Sequence, residues 1–280
     1  MLRPHGVRKA HRPTSGAAAI GGTRSNPYPM APAWRFATLL VIASTAAWPG
    51  SVSQAENRDA LRQIVQGRCV PHWLKQADPA PCERVYLTDA SHETYGYAVL
   101  ADIKGGAHFL LIPTGRIAGI ESPDILRPPA PNYFAAAWQA RDHVAALLGH
   151  PVRRDDIGLA VNSREHRSQD QLHIHIECLG LEVHGVLQAA AERLSGVWRA
   201  ITLGRWQYQG MRVMGEDLGD ANPFALLSQR MPGANEDMGA YTLMVAGMQF
   251  ADGPGFVVLA GKNVPGTEVL LDSTCAIAKH

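Results

Sequence analysis

The sequence predicts an α+β fold: an antiparallel sheet with a helix packed on one face, followed by a C-terminal α/β extension. Three observations carry this. Apolar runs at 95–103 and 108–113 are joined by Lys104-Gly105-Gly106-Ala107, a short glycine-bearing link of the kind that closes a hairpin. Asn132 can cap a helix over 132–150 in which Phe134, Trp138, Ala145 and Leu148 recur at helical spacing. A strand at 157–161 then leads through a polar loop, 162–167, into Gln171-Leu172-His173-Ile174-His175-Ile176-Glu177-Cys178-Leu179, where apolar and polar residues alternate. The order strand, strand, helix, strand, strand implies an antiparallel sheet with its helix on one side.

The flanking elements follow the same logic. A first helix is expected at 56–66, before a loop carrying Cys69 and Cys82. Beyond Gly180 a helix is expected at 184–194 and strands at 241–250, 255–259 and 268–271, with Asp252-Gly253-Pro254-Gly255 as a loop between two of them.

With 280 residues, 46% hydrophobic and 18% charged, the chain can bury a sizeable core. A formal net charge of +1 gives no global attraction to a polyanion, so a dedicated nucleic-acid binder is disfavoured and any anionic ligand must be held locally. The first 55 residues differ from the rest. Arg3, Arg8, Lys9, Arg12, Arg24 and Arg35 precede an apolar run at 36–48, followed by the small residues Ser53-Gln54-Ala55. That order reads as an export signal cleaved near Ala55, or as an uncleaved membrane anchor, with Met30 an alternative start and a buried core helix the plainer alternative. Residues 56–280 then form the exported domain. An oxidising compartment allows Cys69 to pair with Cys82; Cys178 is either a buried thiol or the partner of Cys275.

On the alternating strand, Leu172, Ile174 and Ile176 share one face while Gln171, His173, His175 and Glu177 share the other. An imidazole there can act as general acid or base, metal ligand, or nucleophile forming a phosphoramidate. His108, on an earlier strand, can join them. His72, His92, His143, His150, His166, His184 and His280 have no comparable context and read as surface residues. Lys262 could reach an anion, and Trp206 and Tyr208 fit core, rim or lipid-facing positions equally.

The strand resembles the histidine-triad motif, with Glu177 in place of the third histidine. His108-Phe109-Leu110-Leu111-Ile112-Pro113 resembles the upstream segment of those nucleotide hydrolases and transferases, and Asn162 and Gln169 precede His173 at the spacings of their phosphate contacts. Within that superfamily, Ser163-Arg164 and 167–175, the Cys69-Val70-Pro71 segment, 253–256 and Asp272-Ser273-Thr274-Cys275 are similar to the CDP-diacylglycerol pyrophosphatases.

The resemblance implies a histidine-triad-like fold and cleavage of CDP-diacylglycerol to CMP and phosphatidate at the periplasmic face of the inner membrane. It implies His175 as nucleophile, His173 orienting it and the phosphate, and His108 supporting the site. Asn162 and Gln169, with Ser168 beside them, would contact phosphate oxygens, while Arg164 and Arg167 either meet the pyrophosphate or are solvated loop charges. A carboxylate donates a proton only when protonated, but phosphatidate leaves as a weakly basic monoester, so Glu177 near the leaving group need not supply strong acid catalysis. No cofactor is implied, and a homodimer is an expected assembly. The competing classes are a periplasmic metal-binding protein using His108, His173, His175 and Glu177, a histidine-triad hydrolase of other nucleotides, and a lipid or nucleotide binder without catalysis.

Overall fold

The computed structural model describes residues 57–88 and 95–279; the expected export or anchor segment, His92 and His280 lie outside them. The chain begins with a helical run in which α1 (Ala60–Ile64) passes through a π-helical turn (Val65–Cys69) into α2 (Val70–Gln76). The helix is therefore longer than expected, and Cys69 sits within it rather than in a loop.

Then come β1 (Arg84–Tyr86), β2 (Tyr97–Ala101) and β3 (Phe109–Pro113). The β2–β3 connection contains Gly105 and Gly106, both at positive φ. A side chain on Gly106 would meet the Ser273 carbonyl, which accepts a hydrogen bond from Ala107 N at 2.8 Å, so glycine is required here.

The expected long helix is two, α3 (Tyr133–Gln139) and α4 (Asp142–Leu148). Asn132 caps α3 by accepting from Ala135 N at 3.2 Å, as expected. The break at 140–141 coincides with the Arg141 guanidinium donating to the Trp138 carbonyl at 2.6 Å, in competition with the helical ladder.

β4 (Ile157–Val161) matches expectation, whereas β5 (Ile174–Leu179) starts three residues later than the alternation suggests. Before it, Leu172 N donates to the Ile117 carbonyl, and the Gln171 amide donates to the carbonyls of Pro113 and Gly115. Those bonds hold the segment against the end of β3 and the loop that follows it, outside the strand ladder.

After β5 come α5 (Leu181–Ala190), β6 (Arg199–Leu203), β7 (Trp206–Met214), α6 (Pro223–Arg230), β8 (Tyr241–Phe250), β9 (Gly253–Lys262) and β10 (Leu271–Asp272). The strands form one sheet in the order β1-β2-β3-β5-β4-β8-β9-β7-β6, with β10 pairing β5 beyond the end of β3. Every pairing is antiparallel. The α+β expectation stands, but the C-terminal α/β extension is corrected: this region continues the same antiparallel sheet. Tight turns such as Gly204-Arg205 between β6 and β7 cannot make the crossovers that parallel strands need. β6 and β7 escape sequence reading because β6 alternates around mostly exposed positions and β7 is broken by Gly210.

The two faces of the sheet differ. Ile174, Ile176 and Cys178 enter a core shared with Phe134, Trp138 and Val144 of α3 and α4. On the opposite face are two smaller clusters. One joins Val65, Cys69, Val70, Cys82, Leu110 and Ile112; the other joins Leu179, Val183, Leu187, Tyr208 and Met244. Tyr208 is thus core and Trp206 its partly buried neighbour, while Lys262 lies over the Tyr241 ring.

Both cysteine pairs are bonded, Cys69 to Cys82 and Cys178 to Cys275, which closes the choice left open for Cys178. The second bridge closes a loop with a sequence separation of 97, so its removal relieves a large constraint on the unfolded chain. Replacing Cys178 and Cys275 together by alanine should lower unfolding free energy by about 4 kcal/mol in urea titrations. A loss below ~1 kcal/mol would show that the bridge does little for the fold.

Candidate active site

Antiparallel pairing of β3 with β5 assembles the site. Leu110 stands opposite His175 and Phe109 opposite Ile176, so one step further along the register places His108 opposite Glu177. His173, just ahead of β5, shares the face of His175 and Glu177. All four polar side chains are buried, as the neighbouring strands and the two flanking clusters require.

Burial of polar groups is tolerated because they bond to one another. His108 Nε2 lies 2.9 Å from His175 Nδ1 and 3.1 Å from Glu177 Oε1, and Glu177 Oε1 is 3.7 Å from His175 Nδ1. The His108 and His175 rings stack at 5.1 Å. Asp102 Oδ2, at the end of the β2–β3 turn, is 3.9 Å from His108 Nε2. Burial lowers the His108 pKa against the opposing pull of Glu177, favouring the neutral ring.

His173 is held differently: its Nδ1 bonds the Gln171 carbonyl at 2.8 Å, which fixes the proton on that nitrogen. Burial, assisted by the nearby His175, pushes its pKa down to about 4. Its ring meets that of His175 edge-on at 5.1 Å.

These groups back a cleft of about 530 Å³, whose walls include His173, His175, Asn162, His166, Ser168 and Gln169. Asn162 is buried, and its Oδ1 accepts from Thr267 N at 2.7 Å, which turns its amide Nδ2 into the donor available to a ligand. Ser168 is an exposed part of the wall.

Two residues expected at phosphate are otherwise employed. Gln169 donates to the carbonyls of Asn57 and Ser168 and accepts from Leu61 N, so it pins the start of α1 over the cleft. Arg167 lies outside the cleft wall, its guanidinium bound to Glu121 at 2.6 and 2.7 Å and to Asp170 at 3.1 Å. Asp170 is also bound by Arg58, and these partners hold its carboxyl at about 2. Arg167 therefore braces the loop. Glu177 and His108 likewise stand behind His175 instead of on the wall, because the register sets them farther along the strands.

The structure adds residues that sequence reading passed over: His166, Asp102, Arg68 and Lys104 all line the cleft. Only His166, in the polar loop after Asn162, and Lys104, in the glycine link before His108, had positions that hinted at this. His143, by contrast, packs against Phe109 on the far face.

His108, His175 and Glu177 offer ligand atoms all within 4.8 Å of one another, so these three could hold a metal ion; His173 is not part of that group. An ion there would take His175 Nδ1 from His108. In the chain as it stands, a hydrogen bond with His108 occupies that position, and the other ring nitrogen, Nε2, is buried.

Because the folded pKa of His173 lies below its unfolded value near 6.5, the unfolded chain binds more protons between pH 6.5 and about 4. The contribution is complete above pH 6.5 and is lost as pH falls toward 4. Denaturant titrations at pH 7, 5.5 and 4.5 should show the wild type losing more stability than His173→Asn across this window; parallel losses would contradict a neutral buried His173.

The family model for CDP-diacylglycerol pyrophosphatase matches residues 56–279. A curated CDP-diacylglycerol pyrophosphatase from Yersinia pestis is 39% identical over 257 residues, covering 88% of this chain and 96% of the relative. The match spans every strand and helix around the histidine cleft, and the chain belongs to the CDP-diacylglycerol pyrophosphatase family.

Proposed function

We propose that the chain hydrolyses the pyrophosphate bond of CDP-diacylglycerol, releasing CMP and phosphatidate, with His175 as nucleophile and a cytidylyl-histidine as intermediate. The observation that carries this reading is the 2.9 Å contact between His175 Nδ1 and His108 Nε2 at the back of the cleft. A proton kept on Nδ1 puts the lone pair on Nε2, the atom that attacks. We read β3, β5 and β4 around it as a histidine-triad-like core.

In the first displacement, His175 Nε2 bonds to the phosphorus bearing cytidine as the bond to the phosphatidate oxygen breaks. The imidazole becomes cationic at that moment. Glu177, 3.7 Å from Nδ1, offsets the new charge, and His108 keeps the ring in place. This differs from a leaving-group role for Glu177 and fits its position behind the nucleophile. Water then attacks the same phosphorus, releasing CMP and restoring His175. Asn162 Nδ2 donates to a phosphate oxygen, and neutral His173 avoids adding a second buried charge beside the first.

The basic and apolar N-terminal stretch supports export, and two disulfides fit an oxidising compartment. On that basis the working place is the periplasmic face of the inner membrane, with the bilayer as the surface supplying substrate. Among the described residues no helix is long and apolar enough to cross a membrane. A homodimer is part of the same reading.

The three closely placed donors at His108, His175 and Glu177 also favour a metal-binding reading as the alternative. Metal quantification separates them: one tightly held transition metal per chain, with turnover abolished by chelation, would replace the nucleophilic scheme.

His175→Ala should eliminate turnover, while Asn162→Ala, which removes one phosphate donor, should cost on the order of 100- to 1000-fold in kcat. Mass spectrometry of a rapidly quenched reaction should find cytidylylated His175. A His175→Ala enzyme with near-normal turnover would exclude the mechanism, and a preference for a dinucleoside polyphosphate over CDP-diacylglycerol would exclude the substrate. Glu177→Gln keeps shape but removes the carboxylate charge. It should lower kcat more than it raises KM, whereas an effect confined to KM would place Glu177 in substrate binding.

A further inference from the structure

The cleft is chemically divided, and the division follows the sheet. His175 on β5 stands opposite Leu110 on β3, and Leu110 stands opposite Leu100 on β2. The three side chains therefore form one row across the sheet face, starting at the nucleophile and turning apolar after a single strand. Leu61 and Ile64 of the first helix, Pro81 and Ile103 complete this apolar side. The polar wall of Asn162, His166 and Ser168 comes from the β4–β5 loop instead.

Ile103 is the unusual member. It is 102% exposed, as exposed as in an isolated peptide, at the tip of the β2–β3 turn. The turn does not simply let it wander into water. Asp102 Oδ1 accepts from Lys104 N at 2.7 Å, and Ala107 N is tied to the Ser273 carbonyl. The backbone of the turn is held while the Ile103 side chain stands in solvent at the mouth of an apolar strip.

Two cations flank the strip: Lys104, next to Ile103, and Arg68 in the π-helical turn, each exposed and each lining the cleft. Neither makes an ion pair among the described residues. Their neighbours Cys69 and Pro81-Cys82 are linked by a disulfide, so one rim of the strip is covalently braced.

We propose that the row from Leu110 through Leu100 to Ile103, under Leu61 and Ile64, seats the glycerol end of the substrate's two acyl chains, with Arg68 and Lys104 binding the phosphate that departs with them. This deepens the proposed hydrolysis of CDP-diacylglycerol and rests on it. A cleft of about 530 Å³ is of the size that holds one drug-sized ligand, so it takes the nucleotide, the phosphates and the glycerol but not two whole acyl chains. The remaining methylenes stay in the bilayer. Ile103 and Lys104 then rest at the lipid surface, apolar residue inserted and cation beside the headgroups, which gives the exposed isoleucine its partner.

The test compares CDP-diacylglycerol in mixed micelles with water-soluble CDP-glycerol, which carries the same diphosphate without acyl chains. Ile103→Ser should lower the ratio of kcat/KM for the lipid over the soluble substrate by about tenfold, roughly half the transfer free energy of a fully buried isoleucine. Arg68→Ala and Lys104→Ala should lower kcat/KM for both substrates, since both contain the departing phosphate. Leu147→Ser, an exposed leucine on α4 across the sheet, should leave the ratio unchanged. An Ile103→Ser ratio equal to that of the wild type would overturn the acyl seat while leaving hydrolysis intact, and would point to another occupant such as a second copy or residues 1–55. Failure of the wild type to cleave either substrate would instead remove the hydrolase reading itself.

Discussion

The register between β3 and β5 is the constraint on which the rest of this molecule depends. Setting Leu110 opposite His175 brings His108 to Glu177 and puts His108 Nε2 at 2.9 Å from His175 Nδ1. A one-residue slip would turn the histidines of one strand into the core under α3 and α4 and bring Ile174 and Ile176 to the cleft. The register is secured from the other face, where Ile174, Ile176 and Cys178 fill that core and the Cys178–Cys275 bridge fastens the strand end. Packing on one side of the strand thereby sets chemistry on the other.

The buried polar cluster is stable because each member serves a neighbour. Burial favours the neutral form of His108, whose Nε2 faces His175, Glu177 and Asp102 together; His173 is fixed by a backbone carbonyl. Around the cleft, the strong charges are spent on architecture. Arg167 bonds Glu121 and Asp170, Arg58 bonds Asp170, and Gln169 grips the start of α1. What remains for an anion is softer: one amide from Asn162, the exposed His166, and the two rim cations Arg68 and Lys104. Such a set suits a substrate already bearing a diphosphate, since catalysis of phosphoryl transfer relies on alignment and charge stabilisation more than on new covalent machinery.

The helical run at the N-terminal end of the described chain links fold to site. It closes a core of its own over Leu110 and Ile112, and it presents Leu61, Ile64 and Arg68 to the cleft. Its Cys69–Cys82 bridge, expected from sequence, connects it to the strand side of the same wall. The helix thus both covers part of the sheet and forms a wall of the histidine cleft.

Local periodicity by itself determined β3, β4, the capped start of α3 and the shared face of His173, His175 and Glu177, because side-chain alternation and capping depend on residues a few positions apart. His108 and Asn162 were marked out by the resemblance of their segments to the histidine-triad pattern, not by periodicity. Tertiary structure alone decided that Gln169 and Arg167 are braces, since their partners lie about 50 to 110 residues away. It alone decided that Glu177 lies behind His175, that Cys178 pairs with Cys275, and that the C-terminal strands extend one antiparallel sheet. Each of these depends on register and long-range pairing, which bring distant residues together and leave no periodic trace in the chain.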